Sequence, residues 1–511
     1  MKSVLLIPFV VLFLPVSGQL DQPIAGTPYP TERKENFSGF IGETEAAVYS
    51  VDYLYISRKK QELNVRKFQR STLQLVDSRN IYFAPEGDYY SEPTEVFFQK
   101  NKIYLFSVLF GEKGNPNLTG LEIFDENMQK ISSGIVDTFD LDEVTVIRES
   151  EDENQFILCR YNRYSKLTDQ QVVLTSVQST GTIGWRKKVK SPMALQNLSV
   201  EDLVFSEKSP VFILCNYAFE LKNTTAVSDQ DLINNKYSLW TYDSKRNFLK
   251  EFDLRIKGKW INGIKLGLTR ANELIVSGYM NETRNHSING VFSVIFDRNL
   301  NVKSSTISKF NTAVRKKFVE ANDINKTTEL DDYTLNELVI QDNGSYFLAG
   351  ERFYKYIERS YDPRTNITTT TEHFNYNSII VSYFDSLGNH IWTDRVPKFQ
   401  NSTNDFGYFA SYSTMNTDKG MYLFFNDTDK NNELTLADYF NYKALYNNRN
   451  SQISFVEITR DGVMSRGVLV AANNDFVLRA KQCQQIDRSV MYLMGESGRQ
   501  SRVYAVPLAS K

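Results

Sequence analysis

Three cysteines and three histidines in 511 residues leave little material for several kinds of chemistry. Cys159, Cys215 and Cys483 are too few for a disulfide framework and lack metal-ligand spacing, so they are expected to be buried thiols. His286, His373 and His390 are scattered, with no i,i+4 partner and no neighbouring cysteine, which argues against a zinc site or a histidine-based triad and for exposed loop positions. Charge of one sign is missing too. With 59 basic and 61 acidic side chains the net charge is −2, so no bulk field draws nucleic acid or an anionic membrane surface. No serine elbow, P-loop or dinucleotide fingerprint occurs. Beyond the first residues, no apolar run approaches the roughly 20 residues that a membrane helix needs.

What the chain has in quantity is aromatic. Its 29 Tyr and 34 Phe suit pleated, half-buried strands better than helices, and point to an all-β fold. The clearest unit runs from Tyr333 to Gln400. There a short apolar run at Tyr346–Ala349 follows the turn Asn343-Gly344, and Ile379, Val381 and Tyr383 alternate with their neighbours before the turn residues Asp385 to Asn389. Gly388 and Asn389 can take the positive φ of a tight hairpin, and Ile391-Trp392-Thr393 then resumes the sheet. The unit reads as a four-stranded antiparallel meander.

Its second strand returns as apolar phrases starting at Tyr53, Ile103, Phe156, Phe212, Leu274, Tyr346, Met421 and Met491, each followed by a third strand. Cys159 and Cys215 occupy equivalent places in FILCR and FILCN. An aromatic-Asp pair closes the third strand at Phe124-Asp125, Tyr242-Asp243, Phe296-Asp297 and Phe384-Asp385. Each Asp is expected to start an Asx turn by accepting hydrogen bonds from backbone N–H groups two residues on. Repeated four-stranded meanders resemble the blades of a β-propeller. The phrase FDSLGNHIWT is similar to one common in exported repeat proteins of Bacteroidetes. That resemblance covers nearly all of residues 47–508 and implies an extracytoplasmic propeller, with no active-site residues and no ligand attached to it.

Residues 47–80 lack an obvious first strand and residues 475–508 stop before a fourth. They make either two incomplete blades or one shared blade; strand counting favours eight blades over seven. Met1-Lys2-Ser3, the apolar run Val4–Val16 and the small residues Ser17-Gly18 read as a secretory signal peptide over residues 1–18. The mature chain is then expected outside the cytoplasm, secreted, periplasmic or on the cell surface. Residues 19–46, with Pro23, Pro28, Pro30 and three glycines, read as a leader with little regular structure, and residues 47–511 as the propeller.

Later repeats are longer because polar inserts separate their second and third strands, as at Tyr354–Asn377. Insertions at one place in successive repeats emerge on one face, which makes that face the expected binding surface for a protein or glycan, with aromatics such as Phe353-Tyr354 and Tyr439-Phe440. A different class, an exported hydrolase acting on glycans, needs two carboxylates at the ring's mouth. Carboxylates abound, at Asp140, Asp142, Glu143, Asp331, Asp332, Asp427 and Asp429 among others. One run has calcium-loop spacing: Asp427, Asp429 and Asn431, with Asp438 at the twelfth position. It departs from that pattern in carrying Asn432 for Gly and Asp438 for Glu, so a polar connection between strands is the competing reading, and no cofactor is otherwise expected. Sequons begin at Asn117, Asn223 and Asn366, among others.

Overall fold

The computed structural model describes residues 20–32, 35–57, 59–112, 114–140, 143–162, 171–190, 198–217, 236–245, 248–283, 285, 287–319, 329–446, 450–472 and 476–509. The signal-peptide reading, Asp142, His286 and the Asn223 sequon lie outside them. Among the described residues, strands dominate, the one α-helix is the single turn Thr312–Arg315, and no helix is long and apolar enough to cross a membrane.

The strands follow one another as antiparallel meanders. Glu35–Glu43, Ala47–Ser57, Lys60–Gln69 and Leu75–Ile81 pair in sequence order, as do the four strands between Tyr89 and Phe139. The same pattern recurs over residues 143–190, 198–253, 260–309, 333–396 and 413–470. In the last meander, Val490–Ser497 pairs with Gln500–Pro507 and, on its other side, with the short strands Val477–Leu478 and Gln484–Gln485. Second strands such as Leu274–Asn281 are apolar without alternation because both of their faces meet neighbouring sheets, and every residue of that strand is buried. Fourth strands alternate or lie open, as Val302–Lys309 does at the rim.

Hydrophobic clusters join each meander to the next. Val51 and Val65 pack with Ile103 and Leu105, Tyr104 and Phe106 with Phe156 and Leu158, and Ile157 and Leu174 with Ile213 and Trp240. The series continues as Phe212 with Phe292, Ile275 with Leu348, Phe347 with Leu423, and Phe424 with Leu493. The last meander then packs on the first: Tyr492, Met494 and Val503 share a cluster with Phe37, Phe40 and Phe68. The sheets therefore close into a ring, the architecture of a β-propeller.

The stretch read as an irregular leader supplies the strands that the two chain ends lacked. Glu35–Glu43 is the first strand of the first meander, while Ile24–Ala25 and Tyr29–Pro30 pair with Gln500–Pro507 as the outer strand of the last. Prolines and glycines hid them. Pro30 is tolerated because it lies on a sheet edge, and Tyr29, Phe37 and Phe40 are buried in the closing cluster.

The Asp turns form as expected. Asp385 Oδ1 accepts from the backbone N–H groups of Leu387 (2.9 Å) and Asn389 (2.8 Å), with Gly388 at φ +79°. Asp125 and Asp297 each accept two equivalent bonds and Asp243 accepts one from Lys245 N–H. Cys159, Cys215 and Cys483 are free, buried thiols, and Cys159 and Cys215 share one cluster. The Tyr354–Asn377 insert is not a loop. Strands Tyr346–Asp362 and Ile367–Phe384 run on as a single hairpin that projects from the sheet, its β-branched Thr368–Thr371 facing Tyr361–Glu358 across the ladder.

Candidate functional site

The face that carries the inserts is built around the root of this hairpin. Strand Gln400–Thr403 pairs with His373–Tyr376 and runs parallel to Leu445–Tyr446, so the hairpin, the 397–412 connection and the 429–446 insert are laid side by side. The connection is held in an uncommon backbone course, with positive φ at Asn404 (55°), Phe406 (56°), Gly407 (65°) and Ser411 (83°). Asp405 fixes it by accepting from the Ser402 hydroxyl (2.6 Å) and Gly407 N–H (2.9 Å). Gly407 is also a steric requirement, because a Cβ there would sit 2.2 Å from Cε2 of Tyr376.

Beneath this connection lies a network of charges. Lys398, wholly buried, is paired with Glu351 and donates to the Tyr376 carbonyl (2.9 Å) and to Gln400 Oε1 (3.0 Å). The second carboxylate oxygen of Glu351 accepts from the Ser411 hydroxyl at 2.6 Å. Gln400 Nε2 donates to the Asn426 carbonyl, and Asn426 in turn bonds both backbone groups of Leu478, which ties three consecutive sheets together. Arg479 lies 3.2 Å over the Tyr408 ring and is paired with Glu496 at 3.2 Å. Lys481 is exposed; its Nζ donates to the Tyr376 hydroxyl (2.8 Å) and the Gly407 carbonyl (3.5 Å) and rests 4.1 Å from the Tyr376 ring centroid.

Burial dominates the electrostatics here. It pulls the Lys398 amine below the usual lysine range in spite of Glu351, brings Arg479 down to about 10, and pushes the Tyr376 hydroxyl up to about 12. Lys481 is lowered by burial and by the nearby cations Lys398 and Arg479, against the opposing pull of Glu351 and Asp405.

Exposed aromatic and aliphatic side chains are gathered on the same inserts. Tyr356, Ile357, Tyr361 and Ile367 stand out on the hairpin, Phe406 on the connection is 76% exposed, and Phe440 and Tyr446 on the neighbouring insert are exposed as well. Phe353 instead packs tilted on Tyr376, ring centroids 4.6 Å apart, and Tyr439 and Phe440 join Phe318 and Phe399 around the buried guanidinium of Arg395. Two histidines differ from their expected loop setting. His373 lies in the hairpin, stacked on Tyr356 at 4.4 Å, and His390 bonds Ser308 and Thr393 with its pKa lowered by burial, because its strand packs on the rim of the neighbouring sheet.

The calcium-spaced residues fall at the edge of this face. Asp427 pairs with Arg466 and accepts from Asn431 Nδ2 (2.8 Å), while Asn431 also bonds both backbone groups of Lys443. Asp429 accepts from the Thr428 hydroxyl (3.3 Å), and Asp438 accepts from Thr435 N–H and hydroxyl in a turn of its own. Asp427 and Asn431 are thus brought together; Asp438 is engaged elsewhere. No group of three or more His, Cys, Asp or Glu side chains placed to hold a metal occurs among the described residues. Asp331 and Asp332 are separated as well, one on Ser287 and the other near Arg352. Of the sequons, Asn366 stands exposed at the hairpin tip and Asn117 is buried.

On the opposite face, the turns between first and second strands surround a cavity of about 670 Å³ whose lining includes Glu151, Asp152, Lys208 and Asp342. Asp342 is paired there with Arg270 (2.9 Å) and with Arg488 from the last meander. Burial raises Glu151, helped by Asp152 and Asp202, and burial likewise raises Glu43, Glu95, Glu122, Glu149, Glu337 and Glu496. A carboxyl raised on folding binds more protons in the folded than in the unfolded state between the two pKa values, so stability falls as pH rises through that window. The lowered groups Asp152, Glu282, Asp297, Asp438 and Asp487 act only below the ordinary carboxylate range. His390, lowered by burial, acts with the opposite sign just below its ordinary range, one group against seven; a higher melting temperature at about pH 5 than at about pH 8 is therefore expected in thermal scans, and a flat or reversed profile would mean that these carboxyls are not raised on folding.

No protein-family model matches the chain, and no curated protein matches it in sequence. Among solved structures, the chain is similar to the polysaccharide lyase Uly1 (10% identity over 96% of this chain and 99% of that one, TM-score 0.40). It is also similar to the β-propeller domain of the Trilobed protease from Pyrococcus furiosus (9%, 86% and 100%, TM-score 0.38). Prolyl oligopeptidase B from Galerina marginata matches at 9% identity over 91% of this chain and 56% of its own, with a TM-score of 0.42.

Proposed function

We propose that this is an exported, eight-bladed β-propeller that binds a protein or glycan through its insert-bearing face without catalysing a reaction. The observation that carries the binding reading is the set of exposed aromatic and aliphatic side chains on adjoining inserts, Tyr356, Tyr361, Phe406 and Tyr446 among them, held on a rigid ring. Export is supported by the signal-like residues 1–18 and by the resemblance to exported repeat proteins. The reading of eight blades is supported by counting the closing sheet, with its N-terminal outer strands, as a blade separate from the Glu35–Ile81 meander; averaged electron micrographs viewed down the axis would separate eight from seven.

Replacing residues 357–367 by a two-residue turn, with the fold checked by circular dichroism, tests the face. Binding to a panel of peptides and glycans should be lost while the ring persists. Binding that survives both this change and Phe406→Ala would overturn the reading. A second reading, an exported hydrolase acting on glycans, draws on Glu151 at the opposite cavity, whose carboxyl is raised above the ordinary range, the direction a general acid needs. Measurable turnover of a polysaccharide, abolished by Glu151→Gln and indifferent to the hairpin, would establish that reading in place of the first.

The fold is also proposed to stand without bound metal. Chelation is expected to leave the melting temperature unchanged. Asp427→Ala is expected to lower stability by about 3 kcal/mol, because it leaves the Arg466 guanidinium buried without its partner. A fall of several degrees on chelation that Asp427→Ala removes would instead identify a calcium site at Asp427, Asp429, Asn431 and Asp438.

A further inference from the structure

Lys481 differs from the other cations at the hairpin root. Lys398 is neutralised by Glu351 and Arg479 by Glu496, whereas no carboxylate of the described residues lies within 4.0 Å of the Lys481 amine. Its partners are neutral, the Tyr376 hydroxyl and the Gly407 carbonyl, and its side chain is exposed. Lys398 and Arg479 stand near it with carboxylate partners of their own, so of these three cations Lys481 is the one left to meet an incoming negative group. The residue before Gly407 is Phe406, the most exposed of the large hydrophobic side chains. Its left-handed backbone is fixed by the Asp405 bonds, a strained course of the kind found at ligand clamps.

From this juxtaposition we infer that Lys481 and Phe406 form a subsite for an acidic sugar residue of a polysaccharide, the amine pairing with a carboxylate or sulfate and the aromatic ring lying under the sugar. The inference rests on the binding reading of this face and names the ligand class. An exposed ring that leans on Phe374 at 5.7 Å, one residue along the chain from the carbonyl that accepts from the Lys481 amine, matches a pyranose, which offers an apolar C–H face and a charged substituent on one small body. An acidic peptide would pair with the amine but leave the ring unused. The groups that face the amine are Tyr376 and Glu351 from the hairpin, Lys398 and Asp405 from the connection, and Arg479 from its own segment. Lys481, already lowered among them, loses its charge at a lower pH than an ordinary lysine, so affinity should weaken with rising pH earlier than it would for an ordinary lysine.

The test is calorimetric titration of the full chain with polygalacturonate oligomers, dextran sulfate, neutral dextran and polyglutamate. Binding of one or both anionic polysaccharides is expected, weakened at least tenfold by Lys481→Gln and by Phe406→Ala, largely kept by Lys481→Arg, and absent for neutral dextran. The polygalacturonate and dextran sulfate arms separate a carboxylate from a sulfate source. Four results overturn the inference: no binding of either anionic polysaccharide, equal binding by Lys481→Gln, loss with Lys481→Arg as severe as with Lys481→Gln, or polyglutamate bound as tightly as the polysaccharide. If shortening the hairpin abolishes binding of a ligand that ignores Lys481→Gln, the anion subsite fails while the face reading stands.

Discussion

Lys398→Met is expected to cost about 3–5 kcal/mol of stability, because it leaves the Glu351 carboxylate buried without its counter-ion. The Tyr376 carbonyl and Gln400 Oε1 lose a donor as well, and through Gln400 and Asn426 the damage reaches Leu478 in the last sheet. Lys398→Met combined with Glu351→Leu should recover most of the loss, since an apolar pair of similar volume needs no desolvation of charge. Denaturant titration of the two variants decides the matter. A single variant within about 0.5 kcal/mol of the parent, or a double variant no better than the single one, would mean that the pair is not what holds the hairpin root.

Deleting residues 20–31 is the second change with a large expected effect. It removes Ile24–Ala25 and Tyr29–Pro30 from the outer edge of Gln500–Pro507 and takes the buried Tyr29 ring from the closing cluster. Burial of one aromatic ring contributes about 1.5–3 kcal/mol and each backbone hydrogen bond about 1 kcal/mol, so the loss should be on the order of 5 kcal/mol. It should also create an open edge that pairs with other copies. Light scattering alongside thermal unfolding would show both. A monomeric deletion variant that melts with the parent would rule out closure by these strands.

How much of this could be read from the chain depended on how local each signal was. Apolar second strands such as Leu274–Asn281 announce themselves because burial on both faces removes alternation, and the turns at Asp125, Asp297 and Asp385 because an Asx turn needs its residues within a few positions. Tyr29–Pro30 and Glu35–Glu43 were hidden because edge position tolerates the prolines and irregular pairing tolerates the glycines that ordinarily mark a loop. The polar hairpin reads as an insert because exposure on both faces gives it no apolar face to register. The charge network was invisible for another reason. Glu351 and Lys398 belong to the sixth meander, Arg479 and Lys481 to the last, and they meet only when the sheets have stacked, so no spacing in the sequence encodes them.

The closing sheet imposes an order of events on folding. The Tyr29 hydroxyl reaches Met494 across 465 residues of chain, so the contact that completes the ring is among the most distant in sequence. Loop-closure entropy makes such a contact slow to form, while each inner meander can form from neighbours within a few tens of residues. The outer strand at Ile24–Pro30 must therefore wait, with its backbone groups unpaired, for the strand at Gln500–Pro507 to be in place. Until then the chain is an open arc with two sticky ends, and the ends of two molecules can meet as readily as the ends of one. Refolding yield should accordingly fall as protein concentration rises, with exchanged dimers among the products.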